Sequence, residues 1–265
     1  MNLDGCNALI TGASAGIGRE FARQLAQRAH SLVLVARREQ RLAELGAELK
    51  QRHPRLTLYT RKTDLADREQ LSELLRWLDQ QRMEVDVLIN NAGLGDSGPF
   101  ATSHPARNEQ MLLVNIVALT ALTRHLLPRM IAGKRGWILN VSSSAGFLPI
   151  PGFAVYAATK AYVTSFSEAL RTELRGRGVS VCALCPGPVK TEFQEVAARP
   201  GNPPQTGPGF MYVPVERVVR EALEALEADR PLLIPGRLMQ IGMFLVRITP
   251  MPLLRVLSRL APAVD

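Results

Sequence analysis

The sequence predicts an α/β fold in which one parallel β-sheet carries helices on both faces. Short apolar runs alternate along the chain with longer amphipathic runs, and most of the short runs are apolar without interruption. Strands that are covered on both faces have this composition, and strand-helix alternation is typical of a parallel sheet. The 265 residues show no repeat at solenoid spacing and no low-complexity linker, which favours a single domain.

Six strands and six helices follow from these runs. The predicted strands are 7–11, 31–36, 56–60, 85–90, 136–142 and 179–185. The predicted helices are 16–28, 40–52, 67–80, 108–131, 154–175 and 215–228. We therefore expect one domain over residues 1–236.

Two regions depart from the alternation. Residues 186–214 are rich in proline and glycine, and a long irregular segment in a compact domain is usually a functional loop or lid. Residues 237–265 form an amphipathic extension that Pro250 and Pro252 divide into two short helices. Packing on the body or on a partner subunit is the favoured interpretation. An interfacial membrane helix is the alternative, because basic and apolar faces occur together.

Composition and charge narrow the class of protein. The hydrophobic content of 46% and charged content of 21% are ordinary for a globular protein. No apolar stretch looks long enough to span a bilayer, and the first residues lack the pattern of a secretory signal, which together predict a cytoplasmic location. The net charge of +8 comes from scattered arginines and suits a solvated surface or an anionic small ligand. No recognition motif accompanies it, so nucleic acid is not an expected partner.

The cysteines and histidines do not form a recognisable site. Cys6, Cys182 and Cys185 are too few for a disulfide framework. The CxxC pair lies inside a predicted strand, where residues i and i+3 point to opposite faces, so core packing is expected. The four histidines are scattered, and no protein-bound metal is predicted.

A glycine-rich loop follows the first strand and opens the first helix. Gly12, Gly16 and Gly18 allow a tight turn and close approach of a ligand, and the loop between them presents Ser14, Ala15 and Ile17. The helix start offers free N–H groups and a positive dipole end to a pyrophosphate. The spacing GxxxGxG differs from the common GxGxxG fingerprint, but its strand-turn-helix context predicts a dinucleotide site.

The end of the second strand predicts which dinucleotide binds. A fold that prefers NAD usually carries an acid here, whereas this chain has Ala36 followed by Arg37 and Arg38. Guanidinium groups suit a 2′-phosphate, and the Ser14 hydroxyl can contribute at the same place. We expect NADP(H) rather than NAD(H). The alternative is that both arginines are solvated and selectivity is weak.

Two further strand ends add candidate cofactor contacts. Asp64, followed by Leu65, is either an acceptor for the adenine amino group or an N-terminal helix cap. The segment Asn90–Gly93 places two amides at a strand end, where burial is costly unless they are hydrogen-bonded. We expect these amides to order the sheet edge, with Asn91, Ala92 and Gly93 beside the cofactor.

With the motifs TGASAGIG, NNAG, Ser143, YAATK and PGPVKT in chain order, the sequence resembles the short-chain dehydrogenase/reductase family. The resemblance covers roughly residues 5–235. It implies a Rossmann-type, doubly wound domain with a seven-stranded parallel sheet. The glycine loop together with the arginine pair looks most like NADP(H)-using members, including the hydroxysteroid dehydrogenase-like and ketoreductase branches.

The resemblance also implies residue roles. Tyr156 and Lys160 match the catalytic tyrosine and lysine, Ser143 the catalytic serine, and Asn115 the asparagine of the tetrad; both Tyr156 and Lys160 would also contact the cofactor. Ser142 and Ser144 leave a question of register at the serine. The turn that contains Pro186, Gly187, Val189 and Thr191 would reach the nicotinamide amide.

The chemistry of these groups predicts carbonyl reduction or alcohol oxidation. A free tyrosine has a pKa near 10, and we expect the Lys160 ammonium one turn away to lower that pKa. The Ser143 hydroxyl would bind the substrate oxygen. Asn115 is either an amide satisfied in the core or, by family analogy, the holder of a water that links Lys160 to solvent.

Three segments are candidate walls of the substrate pocket: 94–100, 147–153 and 193–212. They contribute the apolar side chains Phe100, Phe147, Leu148, Ile150, Phe153, Phe210 and Met211, which suggest a hydrophobic carbonyl or alcohol. The alternative function is a non-catalytic NADP(H)-binding sensor or scaffold. The family commonly pairs through helices at about 108–131 and 154–175, which implies a homodimer or homotetramer.

Overall fold

The computed structural model describes residues 2–199 and 209–258, and its centre is a seven-stranded sheet. The strands are β1 (Asn7–Thr11), β2 (Ser31–Ala36), β3 (Thr57–Lys62), β4 (Val87–Asn90), β5 (Gly136–Val141), β6 (Val179–Leu184) and β7 (Leu232–Leu233). Their order is β3-β2-β1-β4-β5-β6-β7, and every pairing is parallel. This confirms the predicted α/β class and the seven strands that the family resemblance implied.

Helices cover both faces of the sheet. They are α1 (Gly16–Leu25), α2 (Glu39–Arg52), α3 (Arg68–Gln80), α4 (Pro105–Leu112), α5 (Leu119–Ala132), α6 (Ala154–Glu173), α7 (Phe193–Ala197), α8 (Val215–Glu227), α9 (Arg237–Ile248) and α10 (Met251–Ser258). Short 3₁₀ turns occupy Phe100–Thr102, Ser144–Phe147 and Gly209–Met211. Each predicted helix corresponds to an observed one, with ends that differ by a few residues.

Two apolar cores explain why the strands read as continuously apolar. Leu9 of β1 packs with α3, α5 and α6 on one face, while its neighbour Ile10 packs with α1, α2 and α8 on the other. Successive side chains of a strand point to opposite faces, so a sheet covered on both sides needs apolar residues at every position. The same burial accounts for the cysteines, since Cys6, Cys182 and Cys185 are all buried free thiols.

The strand order places a cleft at one edge of the sheet. β1 lies between β2 and β4, so the connections leave β1 and β4 in opposite directions. In open parallel sheets, ligands bind outside the carboxyl ends of the strands at such a switch point. The glycine loop after β1 and the NNAG segment after β4 meet there.

The predicted helix 108–131 is one helical segment with an interruption. α4 and α5 join through a π-helical stretch, Leu113–Ala118, that contains Asn115. By length and composition, Pro105–Ala132 qualifies as a candidate membrane span, so the expectation that no segment does was wrong. Core helices of globular proteins pass the same test. Because Met111, Leu122 and Leu126 pack in the core against the sheet, we describe this segment as a core helix.

The two irregular regions contain local structure. Within 186–214 the structure describes the short helix α7 and one 3₁₀ turn, while residues 200–208 lie outside the described residues. The extension forms the two helices α9 and α10, as the prolines predict, and residues 259–265 lie outside the described residues. Met239 and Met243 of α9 pack on the body beside Ile234. The opposite side of α9 exposes Leu238, Ile241, Phe244, Leu245 and Ile248.

Candidate active site

A cavity of about 550 Å³ opens at the carboxyl ends of the strands. It is lined by the glycine loop, the arginine pair, the NNAG segment, the start of α6 and the turn after β6. All the residues that the sequence singled out for catalysis or cofactor binding line this cavity, except Gly18 and Asn115. One continuous space therefore joins the predicted nucleotide end to the predicted catalytic end.

The glycine loop is packed so closely that side chains are excluded. Gly12 has a φ of +67°, and a Cβ there would lie 2.8 Å from the Asn91 Nδ2 atom. Gly18 lies behind the loop, where a Cβ would overlap both the Asn91 amide and the Gly12 carbonyl oxygen. Gly18 therefore acts on the cofactor site by allowing α1 to approach the loop, which explains why it does not line the cavity.

Asn91 fastens the end of β4 to the glycine loop. Its Nδ2 donates to the carbonyl oxygens of Thr11 and Gly12, at 2.9 and 3.3 Å. The Thr11 hydroxyl oxygen in turn accepts from the backbone N–H groups of Asn91 and Ala92, both at 3.0 Å. The neighbouring Asn90 is buried and donates to Thr123 and Asn140. Both amides thus order the sheet edge, as expected from their position.

The arginine pair stands at the end of β2 beside the glycine loop. Arg38 donates to the Ser14 Oγ at 3.3 Å, which brings together two of the groups that suit a 2′-phosphate. Arg37 lies 3.8 Å from an Asp64 carboxylate oxygen. The residue that ends β2 is the neutral Ala36, which lines the cavity.

Asp64 is not the helix cap. Asp67 caps α3 by accepting from the N–H groups of Glu69 and Gln70, and Asp64 accepts instead from the Ala66 N–H at 3.0 Å. Asp64 and Leu65 both line the cavity. Asp64 therefore borders the cavity beside Arg37, and its contact with the adenine amino group stays a prediction.

Glu192 is a site residue that sequence reasoning missed. It lines the cavity, and its carboxylate accepts from Arg38 and from Arg41, the latter at 2.6 Å. Donation by Arg38 holds the pKa of Glu192 below its ordinary value. No local pattern relates residue 192 to residue 38, because the fold alone brings the turn after β6 over the end of β2.

Tyr156 and Lys160 lie one turn apart on α6, and both line the cavity. The Lys160 Nζ lies 5.7 Å from the centre of the Tyr156 ring and donates to the Val141 carbonyl oxygen at 2.8 Å. Burial lowers the pKa of Lys160 from 10.5 to about 8. The side chain therefore remains mostly protonated at neutral pH.

The pKa of Tyr156 moves opposite to the sequence expectation. Burial raises it to about 12, and a side-chain hydrogen bond from Ser143 acts in the lowering direction without reversing the shift. The expectation that Lys160 lowers this pKa is wrong for the structure described. The physical reason is that loss of hydration disfavours the phenolate more strongly than neighbouring groups favour it.

The contacts of the serine hydroxyls bear on the register, because Ser142, Ser143 and Ser144 all line the cavity. Ser142 is buried, and its Oγ donates to the Lys160 carbonyl oxygen at 2.8 Å and contacts the Thr164 hydroxyl. Ser143 caps the following 3₁₀ turn, accepting from the Ala145 N–H at 3.1 Å, and faces Tyr156. Of the first two serines, Ser143 is thus the one placed to reach a ligand beside Tyr156.

Asn115 does not line the cavity, and its side-chain amide makes three hydrogen bonds inside the protein. Its Oδ1 accepts from the Leu94 N–H at 2.8 Å, and its Nδ2 donates to the Leu94 carbonyl oxygen and to the Thr159 hydroxyl. The side chain is 1% exposed, and it sits in the π-helical stretch. Such stretches are frequent at functional sites. The contacts fit the core-amide interpretation of the two that the sequence left open.

Aromatic and aliphatic side chains wall the end of the cavity around Tyr156. The ring centres of Phe153 and Phe193 lie 5.9 and 5.4 Å from that of Tyr156. Leu94, Ile150 and Val196 complete this wall. Of the other expected wall residues, Phe100, Phe147, Leu148 and Met211 do not line the cavity, and the side chain of Phe210 lies outside the described residues.

Several lining residues carried no signal in the sequence. They are Thr63, Val114, Val141, Ala145, Pro188 and Gln194. Most are small or apolar residues that only the three-dimensional fold identifies as lining.

Comparison with known proteins shows the family to which the chain belongs. Residues 6–200 match the family model described as short chain dehydrogenase. The chain belongs to the short-chain dehydrogenase/reductase family. It is 38% identical over 190 residues to the NADP-dependent 3-hydroxy acid dehydrogenase YdfG of Escherichia coli, covering 71% of this chain and 75% of that protein.

Solved structures of short-chain dehydrogenases resemble the whole described fold. A short-chain dehydrogenase from Sphingobium yanoikuyae in complex with NADPH has a TM-score of 0.82 at 31% identity, covering 98% of this chain and 97% of the other. The bulky-bulky ketone specific alcohol dehydrogenase from Comamonas testosteroni has a TM-score of 0.78 at 29% identity, covering 98% and 96%.

The residues of the cavity fit an adenine dinucleotide with a 2′-phosphate. The glycine loop lines the cavity and opens α1, whose first backbone N–H groups suit a pyrophosphate. Arg38 and Ser14 together suit the phosphate, and Lys160 lies at the opposite end of the same cavity. Among the described residues, no cluster of three or more His, Cys, Asp or Glu side chains suits a metal ion.

Proposed function

We propose that this short-chain dehydrogenase/reductase interconverts a hydrophobic ketone and its secondary alcohol with NADP(H) as the hydride carrier. That the chain is an oxidoreductase acting on CH–OH groups follows from its family. NADP(H) is the cofactor, in agreement with its NADP-dependent relatives and the fit of Arg38 and Ser14. The observation that carries the proposal is the single cavity that joins this nucleotide end to Tyr156 and Lys160.

Tyr156 is the proposed proton donor in reduction. Bound NADPH would supply the hydride for the carbonyl carbon. The phenol of Tyr156 gives the proton to the carbonyl oxygen. A pKa of about 12 keeps Tyr156 protonated at neutral pH, which is the form that reduction requires. Oxidation of the alcohol requires the phenolate, so we expect reduction to be the faster direction near pH 7.

Ser143 and Lys160 have supporting roles in this proposal. The Ser143 hydroxyl shares the substrate oxygen with Tyr156 as a second hydrogen-bond donor. The Lys160 ammonium binds the cofactor ribose and places a positive charge beside the phenol as its proton leaves. The products of reduction would be the alcohol, the oxidised cofactor and a deprotonated Tyr156. Tyr156 then regains its proton from solvent.

Asn115 is proposed as a positioning residue. A Cβ placed on Gly93 would lie 3.4 Å from the Lys160 Nζ and 3.6 Å from the Asn115 Oδ1. The side chains of Lys160 and Asn115 therefore both approach Gly93 closely. The Asn115 amide also fixes Leu94, which walls the cavity, and Thr159, which precedes Lys160. Asn115 therefore fixes one wall residue and the residue that precedes Lys160, and the water link implied by the family remains part of the proposal.

The cavity wall favours a neutral, bulky substrate. Around Tyr156 the lining is aromatic and aliphatic, and among the described lining residues Lys160 is the only cation at this end. An anionic substrate such as a 3-hydroxy acid would need a guanidinium or a second ammonium to offset its desolvation. The structural similarity to an alcohol dehydrogenase specific for bulky-bulky ketones supports the same choice.

The proposal is tested by NADPH oxidation with a panel of carbonyl compounds. We expect turnover of ketones with two bulky apolar substituents, and little oxidation of 3-hydroxy acids by NADP⁺. NADH serves as the cofactor control and is expected to be the poorer donor. Tight NADPH binding without turnover of any panel member would instead favour the sensor or scaffold function.

Assembly and location complete the proposal. We propose a cytoplasmic homodimer or homotetramer that pairs through the helices at about 108–131 and 154–175. Val117 in the π-helical stretch and Tyr162 on α6 are exposed apolar positions of these helices. Sedimentation of the purified chain tests this oligomeric state.

The exposed apolar side of α9, near Arg237 and Arg247, is proposed to contact a partner subunit or an anionic membrane surface. Vesicle flotation with and without residues 237–265 distinguishes the two.

A further inference from the structure

Glu192 is a resident anion on the arginines of the nucleotide end. Its Oε1 accepts from Arg38 and its Oε2 from Arg41, so each carboxylate oxygen has its own guanidinium. The carboxylate lines the same cavity as Arg38 and Ser14. A negative charge of this chain therefore already occupies the guanidinium that the cofactor assignment gives to the 2′-phosphate.

A carboxylate and a phosphate bind a guanidinium through the same hydrogen-bond donors. Both accept parallel hydrogen bonds from its planar N–H groups. Arg38 divides its donors between Ser14 and Glu192, with both its Nε and its Nη2 reaching the Ser14 hydroxyl. A phosphate seated on Arg38 and Ser14 must therefore take over donors that now serve Glu192, and it would meet that carboxylate as a like charge.

Glu192 belongs to a short segment that runs along the cavity to Tyr156. We call residues 191–196 the strap. At its start Thr191 lies against the glycine loop, where a Cβ on Gly16 would be 3.1 Å from the Thr191 methyl group. Directly after Glu192, the Phe193 ring packs on Tyr156 with ring centres 5.4 Å apart. It also fills the space where Gly95 lacks a side chain, because a Cβ there would be 2.7 Å from the ring.

We propose that Glu192 is a selectivity residue that the 2′-phosphate of NADP(H) displaces from Arg38, and that this displacement loosens the strap that holds Phe193 over Tyr156. The proposal rests on the cofactor assigned above. NAD(H) has no 2′-phosphate and leaves Glu192 in place. The identity of the bound dinucleotide thereby affects the catalytic end through two adjacent residues, Glu192 and Phe193.

The first test measures binding, without turnover, of two nucleotide fragments by titration calorimetry. The fragments are 2′,5′-ADP, which carries the 2′-phosphate, and 5′-AMP, which does not. Glu192→Gln removes the competing charge and keeps the shape, so we expect 2′,5′-ADP to bind about 3- to 10-fold tighter while 5′-AMP changes less than about 2-fold. Weaker binding of 2′,5′-ADP would overturn the proposal, because it would mean that Glu192 holds Arg38 in place for the phosphate.

Glu195→Gln is the matched control. Glu195 is exposed on α7, which begins directly after Glu192, and in the described part of the chain it has no ion pair. Glu195→Gln removes one negative charge close to the position of Glu192. An equal gain in 2′,5′-ADP affinity in both variants would mean that only the overall electrostatic field changed, and it would contradict the proposal. If the wild type itself binds 2′,5′-ADP no better than 5′-AMP, the cofactor assignment fails rather than the role of Glu192.

The second test follows the strap by hydrogen exchange. In the wild type, 2′,5′-ADP is expected to raise amide exchange in the peptide that spans residues 191–197, whereas 5′-AMP leaves it unchanged. In Glu192→Gln that exchange is expected to be high already and insensitive to 2′,5′-ADP. Unchanged or slower exchange of this peptide in the wild type with 2′,5′-ADP would refute the coupling.

Discussion

The two ends of the cavity control charge in different ways. At the nucleotide end Arg37, Arg38 and Arg41 are partly exposed and pair with the carboxylates of Asp64 and Glu192. At the catalytic end Tyr156 and Lys160 have no carboxylate partner, and burial moves the pKa of Tyr156 up to about 12 and that of Lys160 down to about 8. Recognition at the first end depends on opposite charges, and protonation at the second depends on burial.

This difference indicates that affinity and chemical rate are set by separate residues of one cavity. Loss of the Arg38 guanidinium at the nucleotide end should change which cofactor binds and leave the chemical step intact. Loss of the Tyr156 hydroxyl at the catalytic end should slow the chemical step and leave cofactor binding intact.

The largest expected effect is on the chemical step. Tyr156→Phe removes the proton donor and keeps the ring that packs between Phe153 and Phe193, so kcat for ketone reduction should fall by about 10²–10⁴-fold. NADPH affinity should change less than about 3-fold, as measured by fluorescence titration. Tyr162→Phe on the same helix, whose hydroxyl contacts Thr120, is the control and should retain its rate. Equal rates for both variants would remove Tyr156 from the mechanism.

The next effect is on cofactor choice. Arg38→Ala removes a charge-assisted contact to the 2′-phosphate, and NADPH should bind about 10- to 100-fold more weakly, with NADH changed little. Arg41→Ala is the comparison, because Arg41 shares Glu192 but does not line the cavity. Binding titrations with both cofactors measure the change. An equal loss of NADH affinity in Arg38→Ala would mean that the residue does not recognise the 2′-phosphate.

A smaller effect tests how the nucleotide end is built. Gly18→Ala places a methyl group against the Asn91 amide and the Gly12 carbonyl oxygen, and should lower the free energy of unfolding by about 1–3 kcal/mol. Urea unfolding measures this change. Gly242→Ala is the control, since its Cβ would meet nothing within 4 Å and helix propensity favours alanine there. Similar stabilities for the two variants would contradict the packing described here.

The smallest effect concerns the buried charge of Lys160. Its pKa is about 8 in the folded protein and 10.5 when unperturbed, so between these values the unfolded chain binds the additional proton. The cost of burying the charge is present in full below pH 8 and disappears as the pH rises toward 10.5. Relative to Lys160→Met, the wild type should therefore gain about 1–2 kcal/mol of unfolding free energy between pH 8 and pH 10. A constant difference over this range would place the pKa of Lys160 near its ordinary value.

The parts of the site that the sequence predicted are those encoded by neighbouring residues. The glycine loop needs only a strand, three glycines and a helix start, and Tyr156 and Lys160 need only one helical turn. Asn91 was found because an amide at a strand end must be satisfied. These inferences require the periodicity of each element and no knowledge of distant contacts.

What the sequence did not predict depends on contacts across the fold. Glu192 reaches Arg38 only because the turn after β6 crosses the end of β2. The direction of the Tyr156 pKa depends on how completely aromatic walls exclude water, which a spacing of four residues does not reveal. The π-helical stretch around Asn115 and the two-residue strand β7 likewise arise from packing, since neither carries a periodic signal of its own.

The account is tested most directly by following the hydride itself. NADPH that carries deuterium at both positions of C4 of the nicotinamide is mixed with a bulky hydrophobic ketone in a single turnover, and the product alcohol is analysed by NMR. We expect deuterium on the carbinol carbon with the wild type, and transfer slowed by about 10²–10⁴-fold in Tyr156→Phe at unchanged affinity for the labelled cofactor. Product without deuterium at that carbon, or an undiminished rate in Tyr156→Phe, would contradict the proposal that NADPH supplies the hydride and Tyr156 the proton.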